Sequence, residues 1–407
     1  MENEYKKKLL SLGVYFGNKE INLKPQNKKQ AGEIEGIVAT NSLGELFYTE
    51  QIFQKNYLHG SIIFDYSFES DSMISLPDTK ESFNLYECIF LDTETTGLSI
   101  SGGTFPFMVG IGFFNKQNFI LRQYFLRDPI EEEAMLLDLD NYLANYSSVV
   151  TYNGISFDIP ILRSRYKYHR IPNTLNKKYH IDLLKYTRML FRYQFENRSL
   201  KSIEAKVLQF HRSEDEIPGY MAPILYQEYL KSKDFGKVLG IFYHNAMDIV
   251  SLAALIKIVN QIALAQEDHF LQYETLNYSI GRQFEKNKDL EKAITIYLKA
   301  LEQNNLPPHI KSSCLLSLGT LYKRMNKINE AVDIWKQAVE YHSIDACIEL
   351  AKIFEHRYKE YEYAINCCKD ALLILDNDVN SIYKNLQVQK IHHRLNRLKT
   401  KVKNEKI

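Results

Sequence analysis

The chain has 407 residues, of which 45% are hydrophobic, so it is long and apolar enough to fold around more than one core. Lys and Arg number 51 and Asp and Glu number 50, and the resulting net charge of +1 does not by itself indicate a nucleic-acid partner. The first eight residues include acidic side chains and no long apolar run, which predicts neither a signal peptide nor a membrane anchor.

The first half of the chain predicts an α/β sheet. Residues 1–83 form an N-terminal extension in which residues 37–48 predict a strand, a Gly-containing turn and a second strand, a hairpin that extends or flanks the sheet that follows. Three apolar runs then predict successive strands, over Cys88–Asp92, Phe107–Phe114 and Phe119–Leu126. A helix over Glu131–Leu143 and a strand at Val149 follow, which together predict a mixed sheet with helices around it.

The first of these strands ends in two carboxylates. Side chains at i and i+2 of a strand point to one face, so Asp92 and Glu94 lie side by side while Thr93 points away. Like charges about 4 Å apart repel by roughly 4 kcal/mol at an effective dielectric near 20. A hard divalent cation offsets that repulsion. A lone Asp-x-Glu also occurs in solvated turns, so the metal-site interpretation depends on further acids.

Two later segments supply such acids. Asp158 stands where a short strand and an Asn-Gly turn give way to a helix. His244 and Asp248 lie four residues apart in a helix predicted over Val238–Ile258, so they share one face while Tyr243 is turned off it. A core histidine with an ordinary hydrogen bond is the alternative interpretation of His244.

These positions resemble the four carboxylates of the DEDD exonucleases and look most like the YprB-type ribonuclease H-like family. The motifs Ile217-Pro218-Gly219-Tyr220 and His244-Asn245-x-x-Asp248-Ile249 strengthen the resemblance, which covers roughly residues 84–266. It implies a ribonuclease H-like fold, two Mg²⁺ or Mn²⁺ ions as cofactors, and removal of nucleotides from the 3′ end of single-stranded DNA or RNA. Nothing in these motifs separates DNA from RNA, or cleavage at an end from cleavage within a strand.

The resemblance also implies a role for each residue in a two-metal hydrolysis of phosphodiester bonds. Asp92 would lie between both ions, Glu94 and Asp248 on the ion beside the nucleophile, and Asp158 on the second ion, partly through water. His244 would accept the proton of the attacking water.

The spacing of the histidine departs from the family pattern. In the histidine branch of these exonucleases the His precedes the last Asp by five residues, and in the tyrosine branch a Tyr precedes it by four. Here Tyr243 stands at the five-residue spacing and His244 at the four-residue spacing. On a straight helix an i, i+5 pair is offset by more than a right angle, which favours His244 as the residue beside the metals.

Two further features bear on the site. Asp182, at another strand-to-helix junction, is predicted to be an ordinary helix N-cap rather than a residue that orients a ligand water. Between Ile159 and Arg212 the chain carries thirteen basic residues against three acidic ones, a local excess of ten that predicts a substrate-facing surface. The basic residues are Arg163, Arg165, Lys167, Arg170, Lys177, Lys178, Lys185, Arg188, Arg192, Arg198, Lys201, Lys206 and Arg212.

Residues 267–407 have the pattern of a helical repeat domain. Gly281, Phe284, Ala293, Tyr297 and Ala300 recur as Gly319, Tyr322, Ala331, Trp335 and Ala338, and a third time as Ala351, Phe354, Ala364, Cys368 and Ala371. This pattern resembles tetratricopeptide helix pairs, which bind protein partners, and the alternative is an irregular helical bundle. A final helix over Lys390–Lys403 predicts a cap for the stack.

The five cysteines show no zinc-ligand spacing and are an odd number, which favours a reducing, cytoplasmic compartment. Two functions remain open. The first is a metal-dependent 3′–5′ exonuclease whose repeats recruit a partner, and the second is a nuclease-like scaffold that binds nucleic acid without turnover. The complete set of carboxylates favours the enzyme, and the displaced histidine favours the scaffold.

Overall fold

The computed structural model describes residues 34–64, 73–79, 81–97, 103–115, 118–213, 216–264, 273–377 and 384–405. The expectation that residues 1–8 contain no signal peptide or membrane anchor lies outside these residues. The chain divides into two compact units, Met1–Met189 with Glu196–Gln266, and Leu190–Phe195 with Glu267–Ile407.

The first unit is built on a mixed seven-stranded sheet, as predicted. Its strand order is β1-β2-β9-β8-β7-β10-β11, in which β7, β10 and β11 run parallel and the other neighbours antiparallel. The strands of the described residues are β1 (Ile37–Asn41), β2 (Gly44–Gln54), β3 (Leu58–His59), β4 (Ile62–Ile63), β5 (Met73–Ser75), β6 (Ser82–Asn84), β7 (Cys88–Thr95), β8 (Pro106–Phe114), β9 (Asn118–Phe125), β10 (Ser148–Thr151) and β11 (Tyr179–Asp182). The three strands predicted from apolar runs are confirmed as β7, β8 and β9.

The predicted hairpin is confirmed as β1 and β2, and it extends the sheet rather than flanking it. Residues Tyr48–Gln54 of β2 pair antiparallel with β9. Side chains of β2 alternate between buried and less buried positions, the pattern of a strand with one face on a core.

Helices cover the sheet and make up the regular secondary structure of the described part of the second unit. In the described residues they are α1 (Glu132–Leu143), α2 (Asp158–His169), α3 (Leu183–Leu190), α4 (Leu200–Ile203), α5 (Ala222–Ser232), α6 (Leu239–Leu264), α7 (Leu276–Lys286), α8 (Leu290–Leu301), α9 (Pro308–Arg324), α10 (Ile328–Glu340), α11 (Ile344–Ile353), α12 (Tyr361–Asn377) and α13 (Lys384–Glu405). Short 3₁₀ turns cover Leu85–Glu87, Pro129–Glu131, Thr174–Lys177, Gly219–Met221 and Phe235–Lys237, and π-helical turns cover Glu204–Leu208 and Phe354–Tyr358.

The long helix α6 lies against β7, β8 and β9 because two glycines of β8 leave room for it. A Cβ atom at Gly110 would come within 2.2 Å of Asn245 Oδ1, and one at Gly112 within 2.5 Å of Ile249 Cγ2. Gly110 is also the register partner of Asp92 on β7. The absence of a side chain at Gly110 therefore lets α6 bring its polar residues up to the carboxylates of β7.

Helix α6 is the one described helix that is long and apolar enough to cross a membrane by length and composition alone, with a mean hydropathy of 1.7. The mean hydropathy refers to the most apolar 18 residues of this helix, and 67% of that stretch is buried inside the protein. The helix also carries Asn245 and Ser251, both fully buried and hydrogen-bonded to other elements. These contacts are those of a central core helix.

The second unit consists of consecutive paired helices. The repeated small residues lie where two helices of a pair meet: a Cβ atom at Gly281 would come within 2.5 Å of the Tyr297 ring, and one at Gly319 within 2.4 Å of Trp335 Nε1. The repeated alanines, among them Ala293 and Ala331, are fully buried. The predicted terminal helix is present as α13, which is longer than predicted.

A buried carboxylate fastens α13 to the rest of its unit. Glu355, in the second π-helical turn, has a fully buried side chain that pairs with Arg394 and Arg397 at 2.7 Å and with Lys401 at 2.9 Å. Burial alone would raise the pKa of Glu355, but the bonds from Arg397 and Lys401 outweigh it and lower the pKa to about 2.

Glu355→Gln should therefore destabilise the second unit by roughly 2–4 kcal/mol, because it leaves three cations without their buried partner. A depressed carboxyl pKa stabilises the fold above the unfolded value of 4.5, and this contribution is lost as the pH falls towards 2. The difference in the free energy of unfolding between wild type and Glu355→Gln should thus become smaller as the pH falls below about 4.5.

Unfolding followed by the fluorescence of Trp335, the single tryptophan of the chain, reports on this unit selectively. The matched control is Glu362→Gln, which changes an exposed residue of α12. Equal unfolding midpoints for Glu355→Gln and Glu362→Gln would show that the Glu355 cluster does not stabilise the unit.

Candidate functional site

The site is centred on the end of β7. Asp92 is held by Asn245 of α6, whose Nδ2 donates to Asp92 Oδ2 at 2.9 Å. Asn245 is itself oriented by Gln123 of β9, which donates from Nε2 to Asn245 Oδ1 at 2.9 Å. This chain of amides is buried and fixes the rotamer of Asp92.

Asp158 comes to β7 from the first residue of α2. Its Oδ1 accepts from the backbone N–H of Thr93 at 3.1 Å and from the Thr93 hydroxyl at 2.6 Å. These bonds fasten Asp158 to β7 at the residue between Asp92 and Glu94, and Asp158 is close enough to raise the pKa of both of those carboxyls. The preceding turn is left-handed at Asn153, with φ of 65°, as the Asn-Gly motif predicts.

Helix α6 supplies the fourth carboxylate and the histidine. His244 Nε2 lies 3.6 Å from Asp248 Oδ2 and 3.9 Å from Glu94 Oε1. On the other side of the ring, Nδ1 lies 2.7 Å from Glu216 Oε1. Tyr243 is only 4% exposed and belongs to the core. The residue at the four-residue spacing is thus the one that faces the carboxylates.

The carboxylates act on one another electrostatically. Burial raises the pKa of Asp92 well above its usual range, and Asp248, Asp158 and Glu94 raise it further. Burial, with Asp248 and Asp158, raises the pKa of Glu94 to about 8 against the opposing effect of His244. Burial raises the pKa of Asp158 to about 6 despite its bonds from Thr93. The site is therefore an acid cluster whose own charges oppose ionisation.

The pKa of His244 is also raised, which favours its charged form beside the carboxylates. Burial alone would lower the pKa of His244, but Asp248, the hydrogen bond to Glu216 and Glu94 outweigh it and raise the pKa to about 9.

The donor set fits hard divalent cations. Each of the three aspartates has one oxygen tied by a protein donor: Asp92 Oδ2 by Asn245, Asp158 Oδ1 by Thr93, and Asp248 Oδ1 by Arg212. The second oxygen of each lies outside these bonds, and oxygen ligands are those that Mg²⁺ and Mn²⁺ prefer. In the described part of the chain, no three His, Cys, Asp or Glu side chains close around one point as a formed metal cluster does. The carboxylates are close enough to affect one another's ionisation, but they do not form a closed coordination shell.

Comparison with known proteins places this site in a family. Residues 89–260 match a family described as the RNase_H superfamily. The chain is also 31% identical over 327 residues, 79% of its own length and 76% of the relative's, to "Uncharacterized protein YprB" of Bacillus subtilis (strain 168). The chain belongs to the RNase_H superfamily. This membership points to nucleic-acid processing, and nucleases of RNase H-like fold typically use divalent metals.

Asp182 is a structural residue of this RNase_H superfamily domain, as the sequence favours. Its carboxylate accepts from the backbone N–H groups of Leu184 at 3.0 Å, Asn153 at 2.8 Å and Ile155 at 3.3 Å. The first bond caps α3, and the other two hold the loop that leads to Asp158.

The predicted substrate-facing surface over residues 159–212 does not include two of its thirteen basic residues. Arg165 is only 8% exposed and forms a bidentate pair with Glu132, at 2.6 and 2.5 Å. The Arg212 side chain is 2% exposed and lies among carboxylates. Counting charges along a sequence cannot distinguish a basic residue that pairs with a buried acid from one that faces solvent. Arg163, Lys167 and Arg170 of α2 and its C-cap are exposed.

Exposed apolar and aromatic side chains lie next to two segments of this site. Ile155 and Phe157, 49% and 43% exposed, lie in the loop directly before Asp158. Tyr220, 78% exposed, follows Gly219, where a Cβ atom would lie 3.5 Å from His244 Nε2.

Sequence reasoning assigned no role to four residues that organise the site: Gln123, Glu204, Glu216 and Asn245. Asn245 is adjacent to His244 in its motif but has no predicted role, and Gln123 lies in an apolar strand without any motif. Glu216 and Arg212 stand four residues apart directly before Ile217-Pro218-Gly219-Tyr220, which is the one signal that would have drawn attention to them.

Proposed function

We propose that this chain is a metal-dependent nuclease of the DEDD type that hydrolyses phosphodiester bonds from the 3′ end of single-stranded DNA or RNA. The observation that carries the proposal is that His244 Nε2 lies 3.9 Å from Glu94 Oε1 and 3.6 Å from Asp248 Oδ2, while Asp158 and Asp248 raise the pKa of both Asp92 and Glu94. A binding module has no need to crowd acids around Asp92 and Glu94, where Asp248 and Asp158 disfavour the charged form of both carboxyls.

Asp92, Glu94, Asp158 and Asp248 would hold two divalent cations. When bound, the cations would act as Lewis acids that stabilise charge on the attacking and leaving oxygens. The protein's own part is to fix the carboxylates through Asn245, Thr93 and Arg212 and to accept a proton at His244 Nε2. Glu216 accepts from His244 Nδ1–H, which leaves Nε2 directed at the carboxylates.

The surroundings of the site support a single-stranded substrate. Phe157 and Tyr220 are exposed aromatic side chains, and such rings stack on unpaired bases of any sequence. Arg163, Lys167 and Arg170 add positive charge along exposed positions of the adjacent helix, where they attract a phosphate backbone.

We infer also that the paired helices of the second unit are tetratricopeptide repeats that recruit a protein partner. The close approach of Gly281 to Tyr297 and of Gly319 to Trp335 supports this, because small residues at the same position in successive helix pairs are typical of such repeats. All five cysteines are free thiols, which supports a cytoplasmic location.

The test is a substrate panel with the full chain. Single-stranded DNA and RNA labelled at the 5′ or the 3′ end, a duplex with a 3′ overhang, and circular single-stranded DNA are incubated with Mg²⁺ or Mn²⁺. We expect stepwise shortening of the 5′-labelled strands, early release of the 3′ label, and no cleavage of the circle. Asp92→Asn is the inactive control. Identical behaviour of wild type and Asp92→Asn across the panel would instead favour a nucleic-acid-binding scaffold.

A further inference from the structure

Arg212 is a buried cation surrounded by carboxylates. Its side chain is 2% exposed, and its partners Glu204 and Glu216 have side chains that are 0% and 3% exposed. Nε donates to Glu204 Oε2 at 2.6 Å and Nη2 to Glu204 Oε1. Nη1 donates to Glu216 Oε1 at 2.6 Å, and Nη2 donates also to Asp248 Oδ1. A planar guanidinium with five N–H groups is the side chain that can serve all three acids at once.

Two of these three acids connect Arg212 to the proposed catalytic residues. Its bond to Asp248 Oδ1 leaves Oδ2 facing His244 Nε2 at 3.6 Å. Its bond to Glu216 fixes the carboxylate that accepts from His244 Nδ1 at 2.7 Å. Arg212 Nη1 also lies 3.2 Å from His244 Nδ1, but a protonated Nδ1 donates to Glu216, so that approach is a contact between two donors.

The third acid connects Arg212 to the N-terminal part of the chain. Ser251 of α6 donates from Oγ to Glu204 Oε1 at 2.5 Å, and the same hydroxyl lies 2.8 Å from His59 Nε2. Since Ser251 gives its only proton to Glu204, His59 Nε2–H is the donor to Ser251. Burial and the nearby Arg212 lower the pKa of His59 to about 3, so this ring is neutral.

The backbone beside His59 holds the same region. Ser61 donates from its N–H to Leu208 O at 2.7 Å and from Oγ at 3.2 Å. Gly60 has φ of +60°, and a Cβ atom there would lie 2.0 Å from Leu208 O. The segment around His59 thus supports the π-helical turn Glu204–Leu208, which carries Glu204.

We propose that Arg212 is a positioning residue that sets the geometry of both Asp248 and the Glu216–His244 pair, and that Glu204, Ser251 and His59 hold Arg212 in place. The proposal rests on the proposed nuclease function for its kinetic consequence, but not for its effect on metal binding. A guanidinium that only stabilised the fold would need a partner such as Glu204 and no contact with the site. Its simultaneous bonds to Asp248 and Glu216 give it the additional role.

Arg212→Lys is the informative variant, because lysine keeps the charge but cannot bridge three carboxylates with one planar group. The matched control is Arg165→Lys. Arg165 is also buried, also bidentate to one glutamate, and forms its ion pair with Glu132 rather than with a proposed site residue. Arg212→Met with Glu204→Gln removes the guanidinium and the most deeply buried of its three acids, so it should recover the part of the stability that Arg212→Met alone loses by leaving the Glu204 charge unpaired.

Three quantities are measured on each full-length variant: the melting temperature, kcat and KM on the substrate that the panel identifies, and Mn²⁺ affinity by calorimetry. For Arg212→Lys we expect kcat and Mn²⁺ affinity to fall about 10- to 100-fold, as for other residues that orient metal ligands, with KM unchanged. Arg165→Lys should lower the melting temperature alone. The double variant should melt higher than Arg212→Met but should recover neither kcat nor Mn²⁺ affinity.

Equal losses of kcat and Mn²⁺ affinity in Arg212→Lys and Arg165→Lys would overturn the proposal. So would a double variant that regains wild-type kcat and affinity together with its stability. If the wild type hydrolyses no strand of the panel, the nuclease function fails, and the Mn²⁺ affinities of the same variants decide the role of Arg212 by themselves.

Discussion

Asp92→Asn should abolish hydrolysis and at the same time raise the melting temperature of the metal-free protein. Burial, Asp248, Asp158 and Glu94 all disfavour the charged form of Asp92, so the neutral amide removes repulsion. Asparagine keeps an oxygen that can accept from Asn245 Nδ2, so the local hydrogen bond survives. The melting temperature should rise roughly 2–4 °C for each kcal/mol of repulsion that is removed.

The loss of activity in Asp92→Asn arises because the neutral amide no longer holds the metal ions that the charged carboxylate would bind. Charge stabilisation by metal ions contributes several kcal/mol to the transition state, and each 1.36 kcal/mol corresponds to a factor of ten in rate, so the rate should fall about 10³-fold or more. Mn²⁺ should raise the melting temperature of the wild type by binding the folded state, and should raise that of Asp92→Asn much less. Thermal scans in EDTA and over a Mn²⁺ titration, paired with the end-labelled strand assay, measure both effects.

Asp182→Asn is the matched control. Asp182 accepts from three backbone N–H groups, so its carboxylate stabilises the fold instead of opposing it. The amide should therefore lower the melting temperature in EDTA, the reverse of the change at Asp92. An Asp92→Asn protein that melts no higher than wild type in EDTA, and gains as much from Mn²⁺, would show that these acids are neither crowded nor metal-binding.

The central strands and the proximity of His244 to Asp248 could be predicted because both depend on local sequence patterns. Apolar runs of strand length identified β7, β8 and β9, and the i, i+4 spacing placed His244 beside Asp248. The choice between a hairpin that extends the sheet and one that flanks it could not be made locally. It depends on the pairing of β2 with β9, residues about seventy positions apart in the sequence.

The residues that hold the site in place could not be predicted from the sequence for a related reason. Arg165 and Arg212 look like members of a basic stripe, and only the tertiary structure shows that Glu132 and Glu204 bury them. Glu204 lies in a π-helical turn that no apolar periodicity marks, and His59 lies in a segment with almost no regular pattern. Long-range ion pairs leave little trace in sequence because each partner sits among residues of ordinary composition.

His244→Ala should lower kcat about 10²- to 10⁴-fold, the usual contribution of a general base, while leaving the affinity for nucleic acid nearly unchanged. Glu216 accepts from Nδ1, so the ring presents Nε2 to Asp248 and Glu94 as the atom that can take a proton. A general base works only when unprotonated, so the wild-type rate should fall as the pH drops below the pKa of His244. The pH–rate profile of His244→Ala should lack this decline at low pH, which is the acidic limb of the profile.

The pH at which the acidic limb falls reports the pKa of His244 in the metal-bound protein. In the metal-free protein burial opposes, but Asp248, Glu216 and Glu94 outweigh it and raise the pKa of His244 to about 9. Divalent cations neutralise those carboxylates and repel an imidazolium, so they lower the pKa towards neutrality. The pH–rate profile in saturating Mg²⁺ should therefore show its acidic limb well below pH 9, and NMR titration of the ring without metal should show the higher value.

Tyr243→Phe is the decisive control for the base. Tyr243 occupies the five-residue spacing that the histidine branch of DEDD exonucleases uses, yet it is 4% exposed and packs in the core. Removing its hydroxyl keeps the ring and its packing, so kcat should stay within about twofold of wild type. If Tyr243→Phe lost as much activity as His244→Ala, the spacing along the helix would matter more than the face on which the side chain lies. The geometry around Glu216 and Asp248 predicts the opposite.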